Sequence, residues 1–176
     1  SKEYWSEPED WGSREAESYI EKLWLERFGD EEEDKRLVIT GGEPLLQKER
    51  IIELVDLLEG WEIEIETNGT VGIPLELSDC QINCSPKLRN SGNRYLARVK
   101  SEVLKEINDL DNSWFKFVVE KKSDLEEVGE IVESCELNKD KILIMPMGSS
   151  WEETRGVLDK VRRKIANKGW SVSERK

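Results

Sequence analysis

The sequence has 176 residues, which is enough for one domain with a sizeable core, and we expect residues 1–176 to form a single domain. Charged residues make up 38% of the chain, and the formal net charge of −12 repels phosphate backbones, which argues against nucleic-acid binding. No apolar run approaches the length of a membrane span and no basic-then-apolar leader opens the chain, so we expect a cytoplasmic protein that handles a small molecule.

Helices and strands are predicted to alternate along the chain. Polar residues 1–12 predict a loop, and acidic residues 30–34 predict a connector after the first helix. Apolar stripes at helical spacing predict five helices, which begin near Ser13, Pro44, Leu96, Ser123 and Ser150. Apolar, β-branched or alternating segments predict six strands, at residues 37–40, 61–66, 81–85, 114–119, 141–145 and 170–172. The S-x-x-E pairs Ser123/Glu126 and Ser150/Glu153 predict capping boxes at the last two helices.

This alternation predicts a parallel sheet with covering helices, either an open doubly wound sheet or a barrel. The strand at 61–66 bears on the choice, because Glu62, Glu64 and Glu66 lie on one face and Ile63 and Ile65 on the other. A central strand of a doubly wound sheet is apolar on both faces. The glutamates therefore indicate either the polar lumen of an open barrel or an edge strand with a solvated face, and the residues alone leave both open.

The cysteine and histidine content narrows the chemistry. Histidine is absent, which excludes imidazole-ligated metal sites and Ser/His or Cys/His catalytic pairs within this chain. The three cysteines, Cys80, Cys84 and Cys135, are an odd number without a short-spaced framework, which argues against a disulfide scaffold. Cys80 and Cys84 have C-x3-C spacing, but two thiols cannot complete a metal cluster, so we interpret them as buried structural thiols.

The segment LVITGGEPLLQ at residues 37–47 carries the most chemical information. Two glycines directly after a strand let a ligand approach the main chain closely, and ligands of parallel α/β proteins bind at the C-terminal ends of the strands. Thr40 adds a hydroxyl there, and Glu43 adds a carboxylate suited to an ammonium group. The alternative is an ordinary turn before a helix that opens with Pro44.

Five segments resemble one family of enzymes when they are taken in order. They are TGGEPLLQ at 40–47, ETNGT at 66–70, CSPK at 84–87, FKFVV at 115–119 and MPMG at 145–148. Together they resemble the 7-carboxy-7-deazaguanine synthases, a family of radical-SAM lyases. GGEP is shared by many radical-SAM proteins, so its combination with ETNGT and SPK is what indicates this family. The resemblance covers nearly the whole chain and implies an α/β fold, a radical-SAM-type partial (β/α) barrel.

The resemblance also implies roles for single residues. Thr40 would contact the pterin substrate. Gly42 would bind S-adenosylmethionine, with Gly41 and Glu43 lining the same turn. The other implied cofactor-binding residues are Asn68, Ser85, Pro86, Lys87, Met145, Pro146, Met147 and Gly148. The family usually has glutamine in place of Met145, so a contribution from Met145 rests on its backbone. The residues also allow structural interpretations: a solvated Lys87, a plain turn at Asn68, and methionines that fill the core.

The sequence lacks part of what the family uses. A radical-SAM enzyme holds a [4Fe–4S] cluster with three cysteines, usually as C-x3-C-x2-C, and this chain has no such triplet. We expect an internal piece of a longer protein, an abridged barrel that lacks its first strand, the cluster loop, the family's magnesium-binding threonine and the C-terminal segment. A natural homologue that lost its cluster is the alternative. No catalytic residue is assigned, and the chain alone is predicted to be inactive.

The implied reaction is ring contraction of 6-carboxy-5,6,7,8-tetrahydropterin to 7-carboxy-7-deazaguanine with release of ammonia, in the biosynthesis of queuosine and related 7-deazapurines. The implied cofactors are S-adenosylmethionine, a [4Fe–4S] cluster and Mg²⁺, the last two held by residues that are not in this chain. The expected partners are the pterin, an external electron donor and a second copy in a homodimer, with neither nucleic acid nor membrane. Two alternatives stay open: another radical-SAM enzyme, such as a glycyl-radical activase, and a non-catalytic module that binds a nucleotide or a partner protein.

Overall fold

Parallel strands form one open sheet in the computed structural model, which describes residues 11–29 and 35–173. The strands are β1 (Arg36–Ile39), β2 (Glu62–Thr67), β3 (Gln81–Cys84), β4 (Ser113–Val119), β5 (Ile142–Pro146) and β6 (Ser171–Val172). The helices are α1 (Ser13–Phe28), α2 (Lys48–Leu57), α3 (Tyr95–Arg98), α4 (Ser101–Asp109), α5 (Lys122–Ser134) and α6 (Trp151–Lys168). Of the predicted segments, residues 1–10 of the first loop and the acidic connector at 30–34 lie outside the described residues.

The strands follow one another across the sheet in chain order, and every neighbouring pair is parallel. Crossovers between parallel strands are right-handed in nearly all proteins, so a sheet that is wound in one direction receives its helices on one face. The doubly wound alternative is wrong, because such a sheet reverses its strand order at a switch point. The predicted partial (β/α) barrel is confirmed, as a six-stranded sheet that does not close within the described part of the chain.

The two faces of the sheet differ in polarity. The side chains that face the helices form the core, and the largest of them are fully buried: Ile65, Ile82, Phe115, Phe117 and Ile144. On the opposite face, Glu64 accepts a hydrogen bond from the amide Nδ2 of Asn83 on β3. Because β2 pairs with β1 and β3, the edge-strand interpretation of its glutamates is wrong. The glutamates lie instead on the polar inner face of the open barrel.

The predicted third helix is wrong as a single element. The chain forms α3 and α4, separated by Val99 in an extended conformation with φ −120° and ψ 112°. Leu96, the first residue of the predicted apolar stripe, is 77% exposed. Polar contacts explain the break between the two helices. Arg98 at the end of α3 is 3% exposed and donates hydrogen bonds to Glu127 and to main-chain carbonyls. Apolar periodicity cannot report such contacts.

One of the two predicted capping boxes is present in part and the other is absent. The oxygen Oγ of Ser150 accepts a hydrogen bond from the N–H of Glu153 at 3.2 Å, which makes Ser150 the N-cap of α6. At α5 the predicted Ser123 cap is wrong. That helix begins at Lys122, and the Asp124 carboxylate accepts from the N–H groups of Glu120 and Lys121 at 2.8 and 3.2 Å.

None of the described helices has the length and apolar content that crossing a membrane requires.

Candidate ligand-binding cleft

A cleft of about 390 Å³ opens where the inner face of the sheet meets the loops that follow the strands. Its walls are formed by Thr40, Gly41, Gly42, Glu66, Thr67, Asn68, Ser85, Lys87, Lys116, Val118 and Met145. These residues come from the C-terminal parts of β1 to β5 and from the turns after them. Parallel α/β proteins bind their ligands at this end of the sheet. The fold therefore brings together seven of the twelve residues that the sequence predicts for the site.

The turn after β1 presents main chain to the cleft. Gly41 has φ +153°, a value that favours glycine, and a Cβ on either Gly41 or Gly42 would meet no atom within 4 Å. The two glycines therefore border open space rather than packed protein. Beside them, Thr40 Oγ1 donates a hydrogen bond to Glu66 Oε2 at 3.0 Å. A ligand can reach peptide groups on one side of this turn and a hydroxyl on the other.

Glu43 braces this turn against the end of β2. Its carboxylate accepts hydrogen bonds from the Thr67 hydroxyl at 2.9 and 3.0 Å and from the N–H of Asn68 at 2.8 Å. It also accepts from the N–H of Leu45 at 3.2 Å, at the start of the 3₁₀ turn Pro44–Gln47. Glu43 borders a groove next to the cleft. Its predicted contact with an ammonium group stays a prediction, and the same carboxylate fixes the shape of two loops.

The turn after β2 is shaped by Asn68 and Gly69. Asn68 Oδ1 accepts from the N–H of Thr70 at 2.9 Å, which closes an Asx turn. Gly69 has φ +75°, and a Cβ there would come within 2.6 Å of Cys84 Sγ on β3. Glycine is therefore required at position 69 both by the backbone conformation and by the close approach of the Cys84 side chain. The structural interpretation of this turn and a cofactor contact by Asn68 are compatible.

Two charged residues of the cleft, Glu66 and Lys116, lie in the segments ETNGT and FKFVV but have no predicted role in the site. Lys116 on β4 lies with its Nζ 3.7 Å from Oε1 of Glu66 on β2, and both side chains reach the inner face of the sheet. The signal in the sequence is their position, since each is a charged residue within a strand that pairs on both sides. With Lys87 after β3, the cleft holds two cations and one carboxylate.

The remaining predicted residues do not line the cleft. Pro86 and Pro146 are buried, and Pro146 borders a separate hollow with Trp151 and Val172. Met147 and Gly148 border a separate hollow beside α6. A Cβ on Gly148 would lie 2.5 Å from Oγ1 of Thr154, so packing against the start of α6 requires glycine there. The cofactor contacts of these four residues stay predictions.

The cysteines are not placed to ligate metal. Cys80, Cys84 and Cys135 are buried free thiols, as the structural interpretation predicts for the first two. Burial, and then the charge of Glu43, raises the pKa of the Cys84 thiol far above its usual range, and burial followed by Asp79 raises the pKa of Cys80. Within residues 11–29 and 35–173, no three His, Cys, Asp or Glu side chains are grouped to hold a metal ion. The described residues therefore do not fit a [4Fe–4S] cluster.

Several known proteins that are similar to this chain carry the name 7-carboxy-7-deazaguanine synthase. A 7-carboxy-7-deazaguanine synthase of Pyrobaculum aerophilum is 33% identical over 143 residues, which are 79% of this chain and 62% of that protein. One from Rhodopirellula baltica is 32% identical over 157 residues, 80% of this chain and 59% of that protein. The chain is a relative of the 7-carboxy-7-deazaguanine synthases. It spans about three fifths of the length of these two synthases. No family model matches the chain.

Solved structures support the kinship with the synthases and the fold. The crystal structure of QueE from Escherichia coli has a TM-score of 0.65 and 26% sequence identity, and the match covers 93% of this chain and 63% of that one. Streptococcus suis SuiB has a TM-score of 0.60 at 14% identity, covering 97% of this chain and 44% of that one, which shows the fold alone. The resemblance to the synthases that the five segments indicate is confirmed.

Proposed function

We propose that this chain is the binding core of a radical-SAM lyase of the 7-carboxy-7-deazaguanine synthase type. The reaction is ring contraction of 6-carboxy-5,6,7,8-tetrahydropterin to 7-carboxy-7-deazaguanine with release of ammonia, a step toward queuosine and related 7-deazapurines. The observation that carries the proposal is the cleft, because Thr40, the two glycines after it, Asn68 and Lys87 meet there from three separate loops. All of them belong to the segments on which the resemblance rests.

The chemistry of the cleft suits a carboxylated pterin. The pyrimidinone edge of a pterin presents two adjacent N–H donors, which a carboxylate such as that of Glu66 accepts in a bidentate manner. The ammonium group of Lys116 lies on the same face and complements a substrate carboxylate. Thr40, whose hydroxyl donates to Glu66 Oε2, adds a hydroxyl on the other side of Glu66 from Lys116. We therefore add Glu66 and Lys116 to Thr40 as substrate-binding residues.

The loop residues of the cleft suit S-adenosylmethionine. Gly41 and Gly42 leave main chain open to a ligand's polar groups, and Ser85, Asn68 and Lys87 offer a hydroxyl, an amide and a cation for its ribose and carboxylate. Bound beside a reduced [4Fe–4S] cluster, this cofactor would supply radical chemistry for the reaction. The chain's own residues hold the two partners in register and exclude water between them.

The rest of the proposal concerns groups beyond the described residues. It includes a [4Fe–4S] cluster and Mg²⁺ that are bound by other parts of the protein, an external electron donor, a homodimer and a location in the cytoplasm. No step is assigned to the cysteines of this chain, since their thiols are buried and their pKa values are raised in two cases.

Anaerobic reconstitution of the complete gene product with iron and sulfide, followed by assay with 6-carboxytetrahydropterin, tests the proposal. The expected result is S-adenosylmethionine-dependent formation of 7-carboxy-7-deazaguanine, identified by mass spectrometry. Cofactor cleavage without that product would favour another radical-SAM reaction. Binding of S-adenosylmethionine without any uptake of iron would favour a non-catalytic module. Either of these two outcomes would contradict the proposed function.

A further inference from the structure

The segment that carries Lys87 into the cleft has little apolar anchorage. Residues 89–97 are all exposed, and between Pro86 and Arg98 only Leu88 is buried among these described residues. Apolar packing therefore cannot account for a fixed path of the chain here. Polar contacts to a buried side chain hold the segment instead.

That side chain is Arg98, the last residue of α3, which is 3% exposed. Its guanidinium group donates to two main-chain oxygens, from Nη1 to Lys87 at 2.8 Å and from Nε to Asn93 at 3.3 Å. Its third nitrogen, Nη2, donates to Glu127 Oε1 on α5 at 2.5 Å. One planar group thus ties both ends of the exposed loop to a helix.

Glu127 completes the arrangement from the other side. It is 7% exposed, and its second oxygen, Oε2, accepts a hydrogen bond from the N–H of Arg89 at 2.9 Å. A separate contact runs from Asn90 Nδ2 to Asp124 Oδ2 at 3.2 Å, one turn earlier on α5. The ion pair therefore grips the loop at Lys87, Arg89 and Asn93 through main-chain atoms alone.

A buried ion pair is a costly way to stabilise a fold. Removing two charges from water is expensive, and apolar residues of similar volume often stabilise as well or better. The pair instead fixes the path of the loop, because the planar guanidinium group sets the directions of three hydrogen bonds at once. The residue whose main chain it fixes most closely, Lys87, is the one that borders the cleft.

We propose that Arg98 and Glu127 are positioning residues of the binding site, a buried clamp that holds the loop at residues 87–93 so that Lys87 faces the ligand. The identity of that ligand as S-adenosylmethionine rests on the proposed function. The clamp itself does not, because it is defined by contacts within the chain.

Hydrogen exchange and ligand binding test the clamp together in the reconstituted protein. Arg98→Met removes the fork, and Glu127→Gln removes the charge while keeping the shape. In both, amides of residues 89–93 are expected to exchange about 10-fold faster or more, and the dissociation constant for S-adenosylmethionine, measured by equilibrium dialysis, to rise by about 10-fold or more. Arg98→Lys, which keeps the charge without the fork, is expected to fall between wild type and Arg98→Met and serves if the methionine variant does not fold.

Two control variants separate positioning from general stability. Glu126→Gln, next to Glu127 on α5, breaks an exposed ion pair with Lys164 on α6. It is expected to change neither the exchange rates of residues 89–93 nor the dissociation constant. Ile165→Ala weakens the core on α6, where Ile165 is 2% exposed, and is expected to lower the unfolding temperature without changing loop exchange or affinity.

The results that would overturn the clamp are specific. One is loop exchange that stays at the wild-type rate in Arg98→Met, and another is loosening of the loop with affinity unchanged. Equal loss of affinity in Ile165→Ala would show a merely structural role. Failure of the wild-type protein to bind S-adenosylmethionine contradicts the proposed function instead, and the exchange comparison then still decides whether the pair holds the loop.

Discussion

At the scale of single residues, the turns around the cleft are held in place by side chains of the protein itself. Glu43 shows this most directly, because its carboxylate joins the turn after β1 to the Thr67 hydroxyl and the N–H of Asn68. The same contacts that leave Gly42 open to a ligand also set the distance between two walls of the cleft. Substitutions at this turn therefore affect stability as well as binding.

Replacement of Glu43 by glutamine is expected to destabilise the fold. An amide offers one acceptor oxygen where the carboxylate offers two, so either the Asn68 or the Leu45 N–H loses its partner. An unsatisfied buried donor costs about 1–3 kcal/mol, which urea denaturation measures directly. Glu59→Gln, at an exposed position, is the matched control and is expected to change stability by no more than about 0.5 kcal/mol. Equal stability of Glu43→Gln and wild type would contradict the brace.

Replacement of Lys116 by methionine is expected to weaken substrate binding. The ammonium group lies on the inner face beside Glu66, and loss of a charge-assisted contact of about 1.5–3 kcal/mol lowers kcat/KM by about 10- to 150-fold, chiefly through KM. Steady-state assay of the reconstituted protein gives both constants. Lys139→Met, before β5 at the opposite end of the sheet, is the control. An unchanged KM in Lys116→Met, or an equal loss in the control, would count against the assigned role.

The sequence predicts the residues of the cleft only where a motif marks them. Thr40 and Gly42 stand in a recognisable segment, and the fold places both at the cleft. The sequence assigns no site role to Glu66 or Lys116, because a charged residue within a strand is usually solvated and its partner across the sheet is distant in sequence. The same holds for Arg98, since its partners come from loops and from another helix.

At the scale of elements, α1 shows how a helix with few buried residues is fastened. None of its described residues is fully buried, and it packs against α2. Glu21 on α1 accepts hydrogen bonds from Lys35 Nζ at 2.9 Å and from Trp61 Nε1 at 2.7 Å. The hydrogen bond from Lys35, followed by that from Trp61, holds the pKa of Glu21 below its ordinary value.

This contact predicts a pH dependence of stability. Because the pKa of Glu21 is lower in the folded chain, its stabilising contribution is present above the unfolded value of about 4.3 and is lost as the pH falls through the folded value. Glu21→Gln is therefore expected to be less stable than wild type at pH 7, with the difference shrinking below pH of about 4. Urea midpoints across this range measure it, with Glu26→Gln as a control on the exposed side of α1. A difference that is constant with pH would exclude Glu21 as the source.

The elements themselves are largely predictable from the sequence, and their ends are not. The six strands fall where apolar and alternating segments place them, because burial of one face imposes that pattern. The break between α3 and α4 and the start of α5 at Lys122 are decided by Arg98 and by the Asp124 carboxylate. Such bonds leave no periodic trace in the sequence.

At the scale of the whole molecule, function follows from a sheet wound in one direction. Helices cover one face, which leaves the inner face free to carry Glu66 and Lys116 into the cleft. Alternation of elements predicts the parallel sheet but not the order of its strands. The glutamates of β2 decide between the two arrangements only once the structure shows β2 to be an interior strand, because a polar face there is incompatible with helices on both sides.

A crystal structure of the complete, reconstituted protein with S-adenosylmethionine and 6-carboxytetrahydropterin would show directly where both ligands bind. We expect the cofactor against the main chain of Gly41 and Gly42 with its carboxylate toward Lys87, and the pterin against Thr40, Glu66 and Lys116. The alternative location is the more apolar hollow of about 210 Å³ between Pro146, Trp151 and Val172. Either ligand bound there, with the cleft after β1 to β5 empty, would contradict the account.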